Sequence, residues 1–230
     1  MCFYLRVIGN KNMKKIILSL ATLFLCVPVF AELTQSQHMV GGRLGLGFQL
    51  ENSGISYSDY DRVDWGSLGA EYGLSYYYLL TNHVGLGTEI SYAEFDGGEL
   101  FVSNDKVSDE TKLFNAMLAA RFTANPSNLV RLYMPVGLGL TIARQNMSVR
   151  KNGIDYAKKA TDTSLGWFVG AGVEFDLGRK SGWSMGFETR YNMFHYDTEK
   201  LTHNAPNGIT GDGNRRLSYM SFHVQVNKRF

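Results

Sequence analysis

Residues 129–143 read Leu129-Val-Arg-Leu-Tyr-Met-Pro-Val-Gly-Leu-Gly-Leu-Thr-Ile-Ala143. From Val130 every second residue is large and apolar: Val130, Leu132, Met134, Val136, Leu138, Leu140 and Ile142. Between them stand Arg131, Tyr133, Pro135, Gly137, Gly139, Thr141 and Ala143. A period of two over this length predicts an extended strand with one set on each face. The run exceeds the ~5–6 residues usual for a soluble strand. It matches the ~9–11 tilted residues that cross a bilayer. The apolar face would meet lipid and the Gly-rich face an interior.

The same alternation recurs on both sides of this stretch. Val40–Glu51 places Leu44, Leu46, Phe48 and Leu50 on one face, with Arg43, Gly45 and Gly47 opposite. Trp65–Leu80, Val84–Tyr92, Lys112–Thr123, Asp162–Leu177, Trp183–Tyr191 and Leu217–Phe230 follow the same rule. Short turns are predicted at Thr81-Asn82-His83, Asn125–Asn128 and Gly178–Gly182. Long polar loops are predicted at Asn52–Asp64, Asp96–Thr111, Arg144–Thr161 and His195–Arg215. Alternating short and long connections between about eight strands fit a transmembrane barrel with its short turns in the periplasm. The expected fold is all-β: an eight-stranded antiparallel transmembrane up-and-down β-barrel. Pro135 cannot donate to a strand ladder, so a bulge or a missing hydrogen bond is expected there.

A soluble barrel would turn its bulky apolar set inward. Here the Gly-rich set carries the charges, and eight strands leave an interior only wide enough for side chains. Tyr76, Tyr78, Tyr92, Trp167, Trp183 and Tyr191 are expected near strand ends, as rings at the bilayer interfaces.

Met13-Lys-Lys followed by the apolar run Ile16–Phe30 and the small-residue pattern Val29-Phe30-Ala31 predicts a signal peptide over residues 1–31. Met13 is then the expected start, and residues 32–230 form the barrel domain. Both cysteines, Cys2 and Cys26, fall in the predicted signal. Leu25 is too bulky to precede a lipid-modified cysteine. The mature chain would lack thiol chemistry and cysteine metal sites. A formal charge of +2 over 230 residues gives no support for nucleic-acid binding.

These features resemble the small eight-stranded outer-membrane proteins of the OmpA-transmembrane and opacity-protein superfamily. The resemblance rests on the signal segment, on Gly-rich strands such as Val136-Gly137-Leu138-Gly139-Leu140, and on the terminal Phe222–Phe230. It implies a Gram-negative outer-membrane location, contact with outer-membrane lipid and lipopolysaccharide, and a monomeric barrel without cofactor. It also implies that Phe222, Val224, Val226 and Phe230 form the signal read by the barrel-assembly machinery. Lys228 stands in an outward slot that the family usually fills with an apolar or aromatic residue.

The lumen charges are the candidate site. Glu71, Glu89, Glu174 and Glu188 are expected to balance Arg43, Arg121, Arg131 and Arg190, with His223 on the same face. Counting from the turns places Arg43, Arg121, Arg131 and Glu174 near the periplasmic end. The same count places Glu71, Glu89, Glu188, Arg190 and His223 nearer the middle. Three waist carboxylates against one guanidinium would require a proton on one acid or on His223. Such a set makes either a plug or a gate. Ser221 and His223 point into the lumen, away from any lipid substrate, so no catalytic residue is assigned. His83, His195 and His203 are expected to be solvated. Asp59, Asp61 and Asp64 lack the glycine and distal glutamate of a calcium loop, so no metal site is assigned. The basic segment Arg144–Thr161 (Arg144, Arg150, Lys151, Lys158, Lys159) is a candidate contact for lipopolysaccharide phosphates or host polyanions. The expected role is structural or surface-interacting, with an extracellular ligand for the long loops. A narrow channel is the alternative, and a lipid-modifying enzyme fits least.

Overall fold

A computed structural model describes residues 38–50, 55–57, 68–102, 105–151, 154–178, 181–203, 209–211 and 213–230. The predicted signal peptide and Asp59, Asp61 and Asp64 lie outside these residues. The strands are β1 (His38–Gln49), β2 (Ile55–Tyr57), β3 (Leu68–Leu79), β4 (Val84–Val102), β5 (Asp105–Ala124), β6 (Val130–Lys151), β7 (Ile154–Asp176), β8 (Trp183–Asp197), β9 (Ile209–Gly211) and β10 (Asn214–Arg229). One helical turn, α1 (Glu199–Thr202), follows β8. Eight strands close a barrel in the order β1-β10-β8-β7-β6-β5-β4-β3, and β2 pairs with β9 outside it. Every barrel neighbour is antiparallel.

The predicted facing holds along each described strand. Leu44, Leu74, Leu118, Leu138, Leu165 and Phe187 are exposed on the outside, Leu118 by 72 %. Arg43, Glu71, Glu89, Arg131, Glu174 and Arg190 are buried inside. In a bilayer that apolar exterior is solvated by lipid, and barrel closure leaves no unpaired strand edge at membrane depth. Pro135 interrupts the β6–β7 ladder: neither it nor Met134 has a β7 partner, yet register is the same on both sides of the gap. The ladder lapses there without a bulge. A bulge does occur between Asp96 and Glu99 of β4, at Gly97-Gly98.

The long polar segments depart from expectation. Most of Asp96–Thr111 and Arg144–Thr161 is strand, extending β4 through β7 past the apolar band. His195–Arg215 holds the end of β8, α1, β9 and the start of β10. The reason lies in the alternation itself, which continues there with its polarity reversed. Along β6 the lipid-facing series Leu138, Leu140, Ile142 continues outward as Arg144, Asn146, Ser148 and Arg150. The inward series becomes Gln145, Met147 and Val149. Above the bilayer water replaces lipid, so the polar set faces out and the apolar set packs inside.

The ends are fixed locally. Asn125 adopts φ 45° in the turn before β6. Its amide donates to the Val130 carbonyl at 3.0 Å, and its side-chain oxygen accepts from the Leu132 N–H at 3.2 Å. Gly178 and Gly182, at φ 147° and 65°, bracket the turn before β8. Aromatic rings gather toward both rims: His38 stacks with Tyr76 at one end. Near the other end, Trp167 and Tyr191 lie 5.6 Å apart.

Candidate functional site

Inside the barrel, buried side chains occupy the bore in layers. The waist is centred on Glu89. It accepts from Arg43 at 2.5 Å, from Arg190 at 2.5 and 3.1 Å, and from the Tyr77 hydroxyl. Arg190 also donates to Glu188. Glu71 is held more loosely, 3.7 Å from Arg43 and 3.4 Å from His223, and His223 lies 3.9 Å from Glu188. The waist therefore brings Glu71, Glu89 and Glu188 together with Arg43, Arg190 and His223.

Arg43 corrects the sequence count. It was expected near the periplasmic end, but its guanidinium joins the waist. Strands of a closed barrel are tilted and staggered, so distance from a turn is not height above the membrane edge. The long arginine stem adds further reach. Two guanidiniums thus face three carboxylates, where one had been expected.

A second network lies toward the short turns, around Glu174. This carboxylate accepts from Arg121, from Arg131 at 2.5 and 3.0 Å, from Arg229 at 3.1 Å and from Asn227 at 2.9 Å. Arg131 also grips Asp176 at 2.6 Å. Three guanidiniums against two carboxylates leave one positive charge here, and two guanidiniums against three carboxylates leave one negative at the waist. The two layers complement one another. Arg229 and Asp176 were not among the predicted network charges. Arg229 shares the inward parity of His223, Gln225 and Asn227, and that parity was the signal that could have found it.

Two aromatic side chains make the networks possible. Phe168 lies across Gly137, its register partner, and a Cβ on Gly137 would come 2.2 Å from the Phe168 ring. Tyr133 lies across Gly172 in the same way, again at 2.2 Å. Arg190 then sits over the Phe168 ring at 4.2 Å and Arg121 over Tyr133 at 3.7 Å. Each stack runs glycine, ring, guanidinium, which buries an arginine against a π face instead of bare hydrocarbon. Tyr133 also accepts from Gln225 at 2.6 Å.

Above the waist the chemistry turns neutral. Thr141 donates to Asn115 at 2.8 Å, Asn115 to Ser91 at 3.1 Å, and Asn192 to Ser221 at 3.1 Å. Higher still, Phe95, Leu113, Met147, Val149, Phe194, Tyr196, Leu217 and Tyr219 form an apolar cap. Ser221 and His223 belong to these lumen layers, as their parity indicated. His83 is exposed in its turn, where its ring also bonds the Thr123 carbonyl at 2.9 Å. His195 and His203 are exposed. Outside the band, Lys112 bridges Glu94 and Glu110, at 3.2 and 2.6 Å, and Arg150 pairs with Asp155 at 2.6 Å. The Arg150 guanidinium holds the Asp155 carboxyl below its ordinary range. Asp162 is lowered too: burial pushes it up, but the Lys200 ammonium and the Asp197 N–H outweigh that.

The family model for the outer membrane protein beta-barrel domain matches residues 17–230. The chain belongs to this family. That match begins inside the predicted signal peptide. The barrel is similar to solved outer-membrane barrels at low sequence identity. The outer membrane protein OprG from Pseudomonas aeruginosa is 10% identical, with 85% of this chain and 96% of that chain covered and a TM-score of 0.51. Neisserial surface protein A is 14% identical, with 84% and 97% covered and a TM-score of 0.44. The attachment invasion locus protein Ail of Yersinia pestis is 16% identical, with 84% and 99% covered and a TM-score of 0.44. A comparison with curated protein sequences finds no match. The family and the closed eight-stranded barrel bear out the resemblance drawn from the sequence, and they imply the outer membrane.

Proposed function

We propose that this outer-membrane barrel is a structural and surface-interacting protein whose external strands carry the binding residues while its lumen stays shut. One observation supports this above the others. The bore holds two ion-pair layers, a neutral hydrogen-bonded layer and an apolar cap, whereas β4 to β7 extend past the lipid band, β6 with its polar set outward. A conducting pore needs a continuous wet path, and an apolar cap over a paired-charge waist opposes one.

The outward face of the extension suits an anionic ligand. Arg144, next after the lipid-facing Ile142, stands opposite Thr161, and Lys159 stands opposite Asn146, so the two cations are diagonal neighbours just outside the band. Lipopolysaccharide phosphates or an extracellular polyanion would meet them there. We further assign a monomeric barrel, with Phe222, Val224, Val226 and Phe230 as its signal to the assembly machinery.

The experiment is hairpin truncation. Cells displaying the barrel are scored for adhesion to a surface coated with dextran sulfate. Replacing residues 97–109 and 146–159 by short turns should leave heat-modifiable gel mobility intact and abolish adhesion. Adhesion that survives truncation, or never exceeds that of cells lacking the barrel, would remove the polyanion reading.

A further inference from the structure

Gly42 stands apart among the described glycines of the barrel strands. It lies on the lipid-facing side of β1 between Val40 and Leu44, opposite Val226 of β10 and Leu74 of β3. A Cβ there would meet only a Leu74 methyl, at 3.8 Å. On inward glycines such as Gly41 and Gly45 it would collide at 2.1 and 2.0 Å. Packing therefore does not require glycine at 42, and a strand glycine is less stable than alanine.

The absent side chain opens an apolar groove on the outside of the barrel. Upward it runs between Leu44, Tyr72, Ile90 and Val224. Toward the short turns it runs past Val40 and Val226 to Trp183, Phe230 and Lys228. Register places Lys228 between Val40 and Trp183, so a cation closes the rim end. The Lys228 ammonium lies 5.2 Å from the Trp183 ring centre and 5.6 Å from that of Phe230, and donates to the Ser181 carbonyl at 2.5 Å. An ammonium has three donors, and this bond uses one. Among the described residues no carboxylate pairs with it.

We propose that this groove binds one glycerophospholipid of the periplasmic leaflet, with an acyl chain along Gly42 and its phosphate on Lys228. Short turns mark this rim as periplasmic, and Trp183 sets the headgroup level beside the lysine. Charge complementarity selects the occupant. A neutral acylglycerol fills the apolar part and leaves the ammonium without an anion, whereas a phosphodiester satisfies both ends of the groove. The site is independent of the lumen and of the external hairpins.

The test uses the purified barrel in a nonionic detergent, titrated with phosphatidylglycerol or with diacylglycerol of the same chains, and native mass spectrometry counts retained lipid. Wild type should retain one phosphatidylglycerol and about tenfold less diacylglycerol. Gly42→Leu fills the notch with a side chain that lipid tolerates. Lys228→Gln removes the cation. Each should lower phosphatidylglycerol retention about tenfold with heat-modifiable mobility unchanged, and Leu140→Ala, on the far side of the barrel, should not. Retention by Gly42→Leu equal to wild type would overturn the site. So would an equal effect of Lys228→Gln on both lipids, or a matching loss in Leu140→Ala.

Discussion

Glu89 and Glu71 share the waist and are held very differently. Glu89 bonds two guanidiniums and a tyrosine hydroxyl, so Glu89→Ala leaves Arg43 only its 3.7 Å contact to Glu71 and Arg190 only Glu188, and should destabilise the barrel by about 3–5 kcal/mol. Glu71 has only the longer contacts to His223 and Arg43, in a layer that already carries excess negative charge. Glu71→Gln should therefore stay within about 1 kcal/mol of wild type. Urea unfolding in lipid vesicles, followed by tryptophan fluorescence, compares the two. Equal losses would mean that the contact lengths do not report the strength of these pairs. Inward parity was legible for each of these residues, because a period of two leaves only two faces. Heights were not, since they depend on tilt and stagger that a single strand does not encode. Hence Arg43 was placed too low and Arg229 was passed over. The tyrosine and phenylalanine supports were missed because an aromatic on a glycine-rich face reads as an irregularity until its glycine partner is known.

The strands change solvent along their length, and substitutions should follow that change. Leu138→Arg, midway along the lipid-facing run of β6, should cost about 2–4 kcal/mol, and Arg at rim positions such as Val130 should cost less. Past Ile142 the preference reverses. Ser148→Arg on the outward face should be silent, whereas Val149→Asp puts an unpaired charge into the apolar cap and should loosen the hairpin. Hydrogen exchange resolves the hairpin from the barrel, and protection in β6 unaffected by Val149→Asp would refute the cap. Asp162 ties β7 to α1 through Lys200 at 2.5 Å and to the Asp197 N–H at 3.0 Å. Its folded pKa is depressed, so this tie is complete above the ordinary carboxylate range. It fails as pH falls below about 4 and through the lower folded value. Exchange at the Asp197 amide should speed up there, and Asp162→Asn should abolish that pH dependence. The sequence showed the strands but took their outer halves for loops. Polar residues outside and apolar inside look like a broken pattern to a reader who expects lipid throughout.

At the scale of the molecule, two opposed charge layers and an apolar cap occupy the bore of a barrel whose exterior is made for lipid and whose top is made for water. Architecture was legible because dyad alternation, Gly-rich inward faces and alternating connection lengths all point to one fold. Function was not, since the same barrel can carry unrelated roles in its external strands and lumen. Whether the lumen is closed is the claim on which the proposed role rests, and single-channel recording in planar bilayers tests it most directly. Wild type should be silent or show only small, flickering openings. Arg190→Ala, which removes the counter-charge of Glu89 and Glu188, should raise both their frequency and their size. Large, steady conductance from the wild type, unchanged in Arg190→Ala, would contradict the account.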